Sequence, residues 1–273
     1  MSASASNGRV WLEALTGVSA GARRAPATVV SIDAALGEER ARYIAVVPDA
    51  GNRFVRARDG EVGVEEGWAL ARAVRDVMEA DHDDSRRPIV AIVDVSSQAY
   101  GRSEELLGIH LACAAAADAY AAARLAGHPV LALLVGKAMS GAFLAHGYQA
   151  NRILALDSTD VSIHAMGRQA AARVTRRSVE ELEQLGERIP PMSYQVRSFA
   201  QLGLLHRLIA GVDAASPTPA DLERVRGELI ESVSDIRQSP RDLSLRWSNA
   251  AALHARAASI AVRQRLAEQW NAS

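Results

Sequence analysis

The 273-residue sequence predicts an α/β protein built on a buried parallel sheet, and three observations carry that prediction. Residues 88–95 and 129–135 are continuous apolar runs of strand length, each entered by a proline, and strands apolar on both faces belong inside a parallel sheet. Each run is followed by a loop and then a helical pattern, which is the order of a strand–helix–strand unit. Helical spacing also dominates residues 166–273, so helices are expected to flank the sheet.

Along the chain, residues 1–25 read as a poorly ordered start. Residues 29–32 and 43–47 are β-branched runs around the turn 37–40 and predict a hairpin. Residues 48–63 carry glycine and arginine without periodicity and predict a loop. Val64, Trp68, Ala71, Val74 and Met78 recur at helical spacing, with Glu65 and Glu66 in the first turn, so 64–80 is a helix. After the 88–95 strand and its exit loop 96–102, one long helix is expected from Ser103, as N-cap, to Leu125, closed by Gly127. The 129–135 strand leads to a small-residue loop at 136–141 and a helix at 142–148, and two short strands follow at 151–156 and 161–164. The remainder is interrupted at Pro190-Pro191, carries one apolar run at 202–212, and ends in a helical part over 219–273 with a long terminal helix at 249–270. The whole chain, 1–273, reads as a single domain.

Composition narrows the function. With 31 basic and 32 acidic side chains the net charge is -1, so no global field draws the chain to nucleic acid or an anionic membrane. No run approaches the roughly 20 apolar residues that span a bilayer, and 1–8 lacks the pattern of a secretory signal. A single cysteine, Cys113, permits no internal disulfide, which fits a cytoplasmic location, and its alanine-rich surroundings predict an inert thiol.

In an α/β sheet ligands bind beyond the carboxyl ends of the strands. A helix start there offers unpaired N–H groups, and Ser140-Gly141-Ala142 carries no bulky side chain, so an oxygen gaining negative charge can reach the amides. Close helix-to-strand packing would use the same small residues, and that alternative stays open. Gly136-Lys137 lacks the remaining residues of a P-loop, and neither strand is followed by Gly-x-Gly-x-x-Gly. His-Glu-x-x-His and Gly-x-Ser-x-Gly are also absent, and Met139-Ser140-Gly141 is only a partial likeness of a nucleophile elbow. Metal hydrolysis, nucleotide chemistry and serine-nucleophile chemistry therefore rank low.

Asp94-Val95-Ser96-Ser97-Gln98-Ala99-Tyr100-Gly101 followed by Glu104-Glu105, with the apolar strand and small-residue loop over 129–142, resembles the carboxyltransferase subunits of biotin-dependent carboxylases. This loop, Gly136-Lys137-Ala138-Met139-Ser140-Gly141, is less glycine-rich than theirs. Over nearly the whole length, Asn52-Arg53-Phe54, Glu65-Glu66-Gly67-Trp68, Gln98-Ala99-Tyr100-Gly101, Gly136-Lys137-Ala138-Met139-Ser140-Gly141, His146-Gly147-Tyr148-Gln149 and His164-Ala165-Met166-Gly167 resemble the γ subunit of biotin-independent malonate decarboxylase.

That resemblance implies a crotonase-like spiral of β-sheets flanked by helices, paired with a homologous β subunit. It implies decarboxylation of a malonyl thioester on an acyl-carrier subunit, with an acyl-carrier transferase subunit in the same system. The prosthetic group implied is phosphoribosyl-dephospho-coenzyme A on the carrier, and no cofactor or metal is expected on this chain. A carboxyltransferase that uses biotin, or a non-catalytic partner of the β subunit, are the other readings.

Loss of CO2 from a malonyl thioester leaves an enolate, which two amide donors can stabilise without a metal. Gly141 and Ser140 are the first candidates, with Ala99, Tyr100 and Gly101 as the second wall. His164 is a candidate to position substrate or protonate the enolate, or is a hydrogen-bonded structural histidine. Lys137, Ala138, Met139 and Arg168 are the candidate substrate contacts. Lys137 could meet a carboxylate, and Arg168 with Arg173, Arg176 and Arg177 could touch the carrier or its phosphorylated group. His146 and Tyr148 are expected to pack.

Overall fold

The computed structural model describes residues 6–19, 26–81 and 86–271. Of the start expected to be poorly ordered, 1–5 and 20–25 lie outside these residues, but 7–16 corrects the expectation. Helix α1 (Asn7–Thr16) is capped by the Ser6 hydroxyl, which accepts from the Arg9 amide, and by Gly17 in the left-handed region. Its Trp11, Leu12 and Leu15 are buried, and the Trp11 indole donates to the Ala214 carbonyl at 2.8 Å. Apolar spacing at 11, 12 and 15 thus anchors the start to the body of the fold.

Strands β1 (Val29–Leu36) and β2 (Glu39–Val46) form the expected hairpin, and α2 (Val64–Ala80) follows the loop. Glu66 of α2 is fully buried, but its carboxylate accepts from the Thr28 hydroxyl, the Asn52 amide group and the Gly63 backbone amide. A buried charge is tolerable only with its acceptors filled, and here that requirement fixes the path of the 48–63 loop. Strand β3 (Ile89–Val95) is buried and parallel to β2.

The helix expected over 103–125 is two: α3 (Arg102–Leu106) and α4 (Ile109–Ala126), with Gly101 rather than Ser103 as the N-cap. Gly108 at φ 80° separates them, a conformation that a helix cannot contain. Strand β4 (Val130–Met139), helix α5 (Ser140–Ala145) and strands β5 (Arg152–Asp157) and β6 (Ser162–His164) complete the centre. Helices α6 (Arg168–Thr175), α7 (Val179–Arg188) and α8 (Val196–Gln201) lead to β7 (Arg207–Ala210), a short strand within the apolar run 202–212. The long α9 (Pro219–Arg237) precedes α10 (Leu245–Ser248), α11 (Ala250–Ala255) and α12 (Ala257–Asn271). The terminal helix is therefore broken at Arg256, whose φ of -117° departs from the helix where no glycine or proline announces it.

The sheet order is β1-β2-β3-β4-β5-β7, parallel except for the β1–β2 hairpin. Strand β4 is shared: residues 131–134 pair with β5 and 137–139 with β6. Its run from Val130 to Val135 is fully buried, at the centre of the core.

Candidate active site

A bulge and a strained turn build the exit of β4. Val93 pairs with Leu134 but Val95 with Ala138, so β4 inserts extra residues between two rungs of the ladder. The Asp94 carboxylate fills the bulge, accepting from the Lys137 amide at 3.1 Å and the Gly8 amide at 3.3 Å. Position 136 needs glycine, because a Cβ there would lie 2.1 Å from Asp94 Oδ1. Bulges bend a strand and re-aim the side chains and amides beyond them. Strand β4 then runs to Met139, and Ser140, at φ 57°, turns the chain directly into α5. A non-glycine residue held there costs about 1–3 kcal/mol and tends to mark functional turns.

Two expectations are corrected by this geometry. Residues 136–139 are strand rather than loop, with Ala138 and Met139 buried and paired to Ile163 and His164 of β6, and the helix begins at Ser140, not 142. Helix α5 has only six residues, so its macrodipole is small and its free amides carry the electrostatics.

The Gly141 amide donates to Gln98 Oε1 at 2.7 Å, and Gln98 Nε2 in turn donates to the Tyr100 hydroxyl. This amide is not used by its own helix. The Gln98 carboxamide oxygen covers this amide, and a Cβ on Gly141 would lie 2.9 Å from it. In the sequence Gln98 stands out only as part of a motif, not as a group in its own right.

The β3 exit contributes less than expected. The Ala99 amide donates to the Val62 carbonyl at 2.8 Å inside a small parallel bridge, so Ala99 cannot serve as an oxyanion donor and is buried wall. Tyr100 is half-exposed, and Gly101, extended at φ -170°, caps α3. A Cβ at Gly101 would collide with the Glu104 carboxylate, which is buried beside it.

Ser140 and Gly141 open onto a cleft of about 510 Å³. Phe143, Phe199 and Leu204 give it an apolar wall, His164 lines one side, and Ala255, Arg256 and Ser259 at the α11–α12 break close another. His164 Nδ1 lies 3.1 Å from the Met166 amide and 3.0 Å from the Met166 carbonyl. Its ring stacks on Tyr194 with centroids 4.0 Å apart and 16° between planes. Burial depresses the His164 pKa, the Met166 bond opposes that, and Arg168 adds to the depression.

Of the remaining candidates, Lys137 is exposed at the bulge and does not line this cleft. Arg168 lines a neighbouring cavity of about 430 Å³, lies over the Tyr194 ring at 4.5 Å and faces Glu183 at 3.3 Å. Arg173, Arg176 and Arg177 are exposed beyond it. His146 is fully buried, with Nε2 donating to the Ile92 carbonyl and Nδ1 accepting from the Tyr120 hydroxyl, both at 3.0 Å, and burial lowers its pKa to about 4. It packs, as expected, and ties the end of α5 to β3. Tyr194, buried behind His164, has no signal in the sequence. No group of three or more metal-ligating side chains occurs among the described residues, and no helix among them is long and apolar enough to cross a membrane.

A helix-flanked parallel sheet whose central strand turns directly into a short helix with an outward amide defines a crotonase-fold, carboxyltransferase-like subunit. A family model described as malonate decarboxylase gamma subunit matches residues 57–270, and the chain belongs to that family. It is similar to a chain of a Pseudomonas malonate decarboxylase hetero-tetramer solved with coenzyme A, at 55% identity and a TM-score of 0.91, over 97% of this chain and 100% of that one. It is also similar to a chain of the Pseudomonas MdcD-MdcE hetero-dimer, at 52% identity and a TM-score of 0.89, over 97% and 99%. A relative from Malonomonas rubra, malonyl-S-ACP:biotin-protein carboxyltransferase MADD, is 35% identical over 218 residues, 78% of this chain and 71% of that protein.

Proposed function

We propose that this chain, with a homologous β subunit, decarboxylates a malonyl thioester carried on an acyl-carrier protein, and that the Gly141 amide holds the enolate oxygen. The carrying observation is the Gly141 N–H, unused by its own helix and occupied by a carboxamide oxygen at 2.7 Å. A substrate thioester oxygen would take that place as Gln98 swings aside. The bond from the α-carbon to the departing carboxylate breaks, its electron pair delocalises onto the thioester oxygen, and a proton added to the α-carbon completes the acetyl thioester. A donor aimed at the developing oxyanion is worth about 10²- to 10³-fold in rate.

The apolar wall of Phe143, Phe199 and Leu204 suits the uncharged, thioester-bearing end of a carrier-bound arm, for which phosphoribosyl-dephospho-coenzyme A is the proposed prosthetic group. The β subunit is proposed from the hetero-dimer and hetero-tetramer in which the similar Pseudomonas chains occur. The acyl-carrier and acyl-carrier transferase subunits, and a cytoplasmic location, belong to the same proposal.

The Malonomonas relative, named for transfer to a biotin protein, supports a second reading in which the released carboxyl group passes to biotin. The higher identity to the decarboxylase chains favours release as CO2. The test is to reconstitute the chain with its β subunit and a malonyl-loaded carrier and to follow CO2 and acetyl thioester. Production of both without any biotin protein supports the first reading, a requirement for biotin the second, and full activity of the isolated chain would refute shared catalysis.

A further inference from the structure

His164, Tyr194 and Arg168 form a stacked column, and its order assigns a role to each. The His164 ring lies 4.0 Å from the Tyr194 centroid and the Arg168 guanidinium 4.5 Å from it, distances that both can satisfy only on opposite faces of the tyrosine. Tyr194 therefore separates the cation from the imidazole. His164 lines the cleft that contains Gly141, whereas Arg168 and Tyr194 line the cavity behind. One residue clamps the column: the Met166 carbonyl accepts from the Tyr194 hydroxyl at 2.8 Å, while the Met166 amide lies 3.1 Å from His164 Nδ1.

The clamp distinguishes the two neutral tautomers. If Nδ1 carried the proton it could donate to the second lone pair of the Met166 carbonyl beside the Tyr194 hydroxyl, but the Met166 amide would lose its acceptor and face another N–H. If Nδ1 is bare it accepts from that amide while the carbonyl keeps the Tyr194 hydroxyl, so both backbone groups of Met166 are paired. The proton then resides on Nε2, which has no partner among the described residues. Because this rests on the proposed reading of the cleft, we infer that Tyr194 and Arg168 are positioning residues that hold His164 as a neutral imidazole with its Nε2–H offered to the substrate. His164 would thus be a second hydrogen-bond donor to the thioester oxygen or the carboxylate, rather than a charged acid. The positive charge of Arg168 behind the ring, which faces Glu183 at 3.3 Å, disfavours imidazolium, and Arg256 is the charged side chain that lines the cleft itself.

The test uses the chain labelled with ¹⁵N-histidine in complex with unlabelled β subunit, His164 being assigned by its loss in His164→Gln. A pyridine-type Nδ1 signal and a pyrrole-type Nε2 signal at neutral pH are expected, and the reverse pattern would overturn the inference. Arg168→Met should raise the pH at which His164 protonates, and Tyr194→Phe, which keeps the stack but frees the Met166 carbonyl, should populate the Nδ1–H tautomer. Tyr194→Leu should lower kcat about 10- to 100-fold with KM within about two-fold, the size expected of a misplaced group near the chemistry. Unchanged tautomer, titration and kcat in all three variants would remove the positioning role. Shifts in the spectra with kcat unchanged would overturn the offer of Nε2–H to substrate, while leaving the role of Gly141 to its own variant.

Discussion

The exits of β3 and β4 both bring small residues to the same edge of the sheet, yet they use their amides differently. At the β3 exit the Ala99 amide is spent on the Val62 carbonyl, and the chain pauses in an extended segment before α3 begins. At the β4 exit there is no pause. The bulge around Gly136 is filled by Asp94, Ser140 makes the turn in one residue, and the Gly141 amide emerges with only a movable side chain on it. An extended loop can close bridges to its neighbours, whereas a strand that turns directly into a helix leaves its first amides unpaired. Direct entry into a helix, rather than small residues alone, is what leaves an amide available for the proposed oxyanion role.

The contrast is broken most severely at its structural root. Gly136→Ala would place a methyl 2.1 Å from the Asp94 carboxylate, which the Gly8 and Lys137 amides hold in place. Destabilisation of about 3 kcal/mol is expected, the upper end for overpacking, and thermal melts of the complex should show it before any kinetic effect is interpreted. A melting temperature within a degree or two of wild type would mean that the bulge is soft and does not set the β4 exit.

Acid should strain the same exit through His146. Its pKa is about 4 in the fold because it is fully buried, whereas in the unfolded chain it titrates near 6.5. A depressed folded pKa means that the unfolded state binds the proton first, so its contribution is intact above about 6.5 and is lost as pH falls toward 4. A shift of this size is worth roughly 3 kcal/mol at most. Denaturant titrations between pH 7 and 4 should show the loss, and His146→Gln should flatten it. An equal slope in that variant would place the acid sensitivity elsewhere.

Much of the fold is legible because it rests on periodicity: the buried runs of β3 and β4, the α2 spacing and the hairpin all appear where apolar pattern and turn residues put them. The bulge is not legible, because nothing in Gly136-Lys137-Ala138-Met139 distinguishes a loop from a strand that pauses around a distant aspartate. The split of α3 from α4 depends on Gly108 adopting a left-handed conformation, which glycine permits but does not compel. At the site, Gly141 and His164 are visible in the sequence and share a cleft. Gln98 and Tyr194 are not, because their roles depend on partners 43 and 28 residues away, Gly141 and Met166. Charge alone points to Arg168 and Lys137 as substrate contacts, and charge says nothing of which side of the sheet edge a side chain reaches.

The donor itself is tested by Gly141→Ala. The nearest atoms to the added methyl are the far end of the Gln98 side chain, which can rotate away, so the fold should melt within a few degrees of wild type. A substrate oxygen at the position of Gln98 Oε1 would however be 2.9 Å from that methyl and must back away from the amide. A fall in kcat of about 10- to 100-fold is expected, as for a misplaced reacting group. Normal turnover would leave close packing as the reason for the small residue.

The smallest effect belongs to the β3 exit, and it separates Gln98 as a plug from Gln98 as part of the machinery. The Tyr100 hydroxyl accepts from Gln98 Nε2 and so steadies the carboxamide whose oxygen covers the Gly141 amide. Tyr100→Phe removes that steadying bond and leaves the exposed ring in place. If substrate must displace Gln98, a looser plug makes entry easier, and KM should fall by a factor of about two to five, because one hydrogen bond at an exposed position is worth about 0.5–1 kcal/mol. Turnover should change by less than that, because the Gly141 amide, the proposed donor, is untouched. If instead Gln98 stays and helps to hold the substrate, the same substitution loosens a catalytic contact, and kcat should fall while KM rises. Steady-state kinetics on the reconstituted complex read both constants, and the sign of the KM change decides which exit of the sheet meets the thioester.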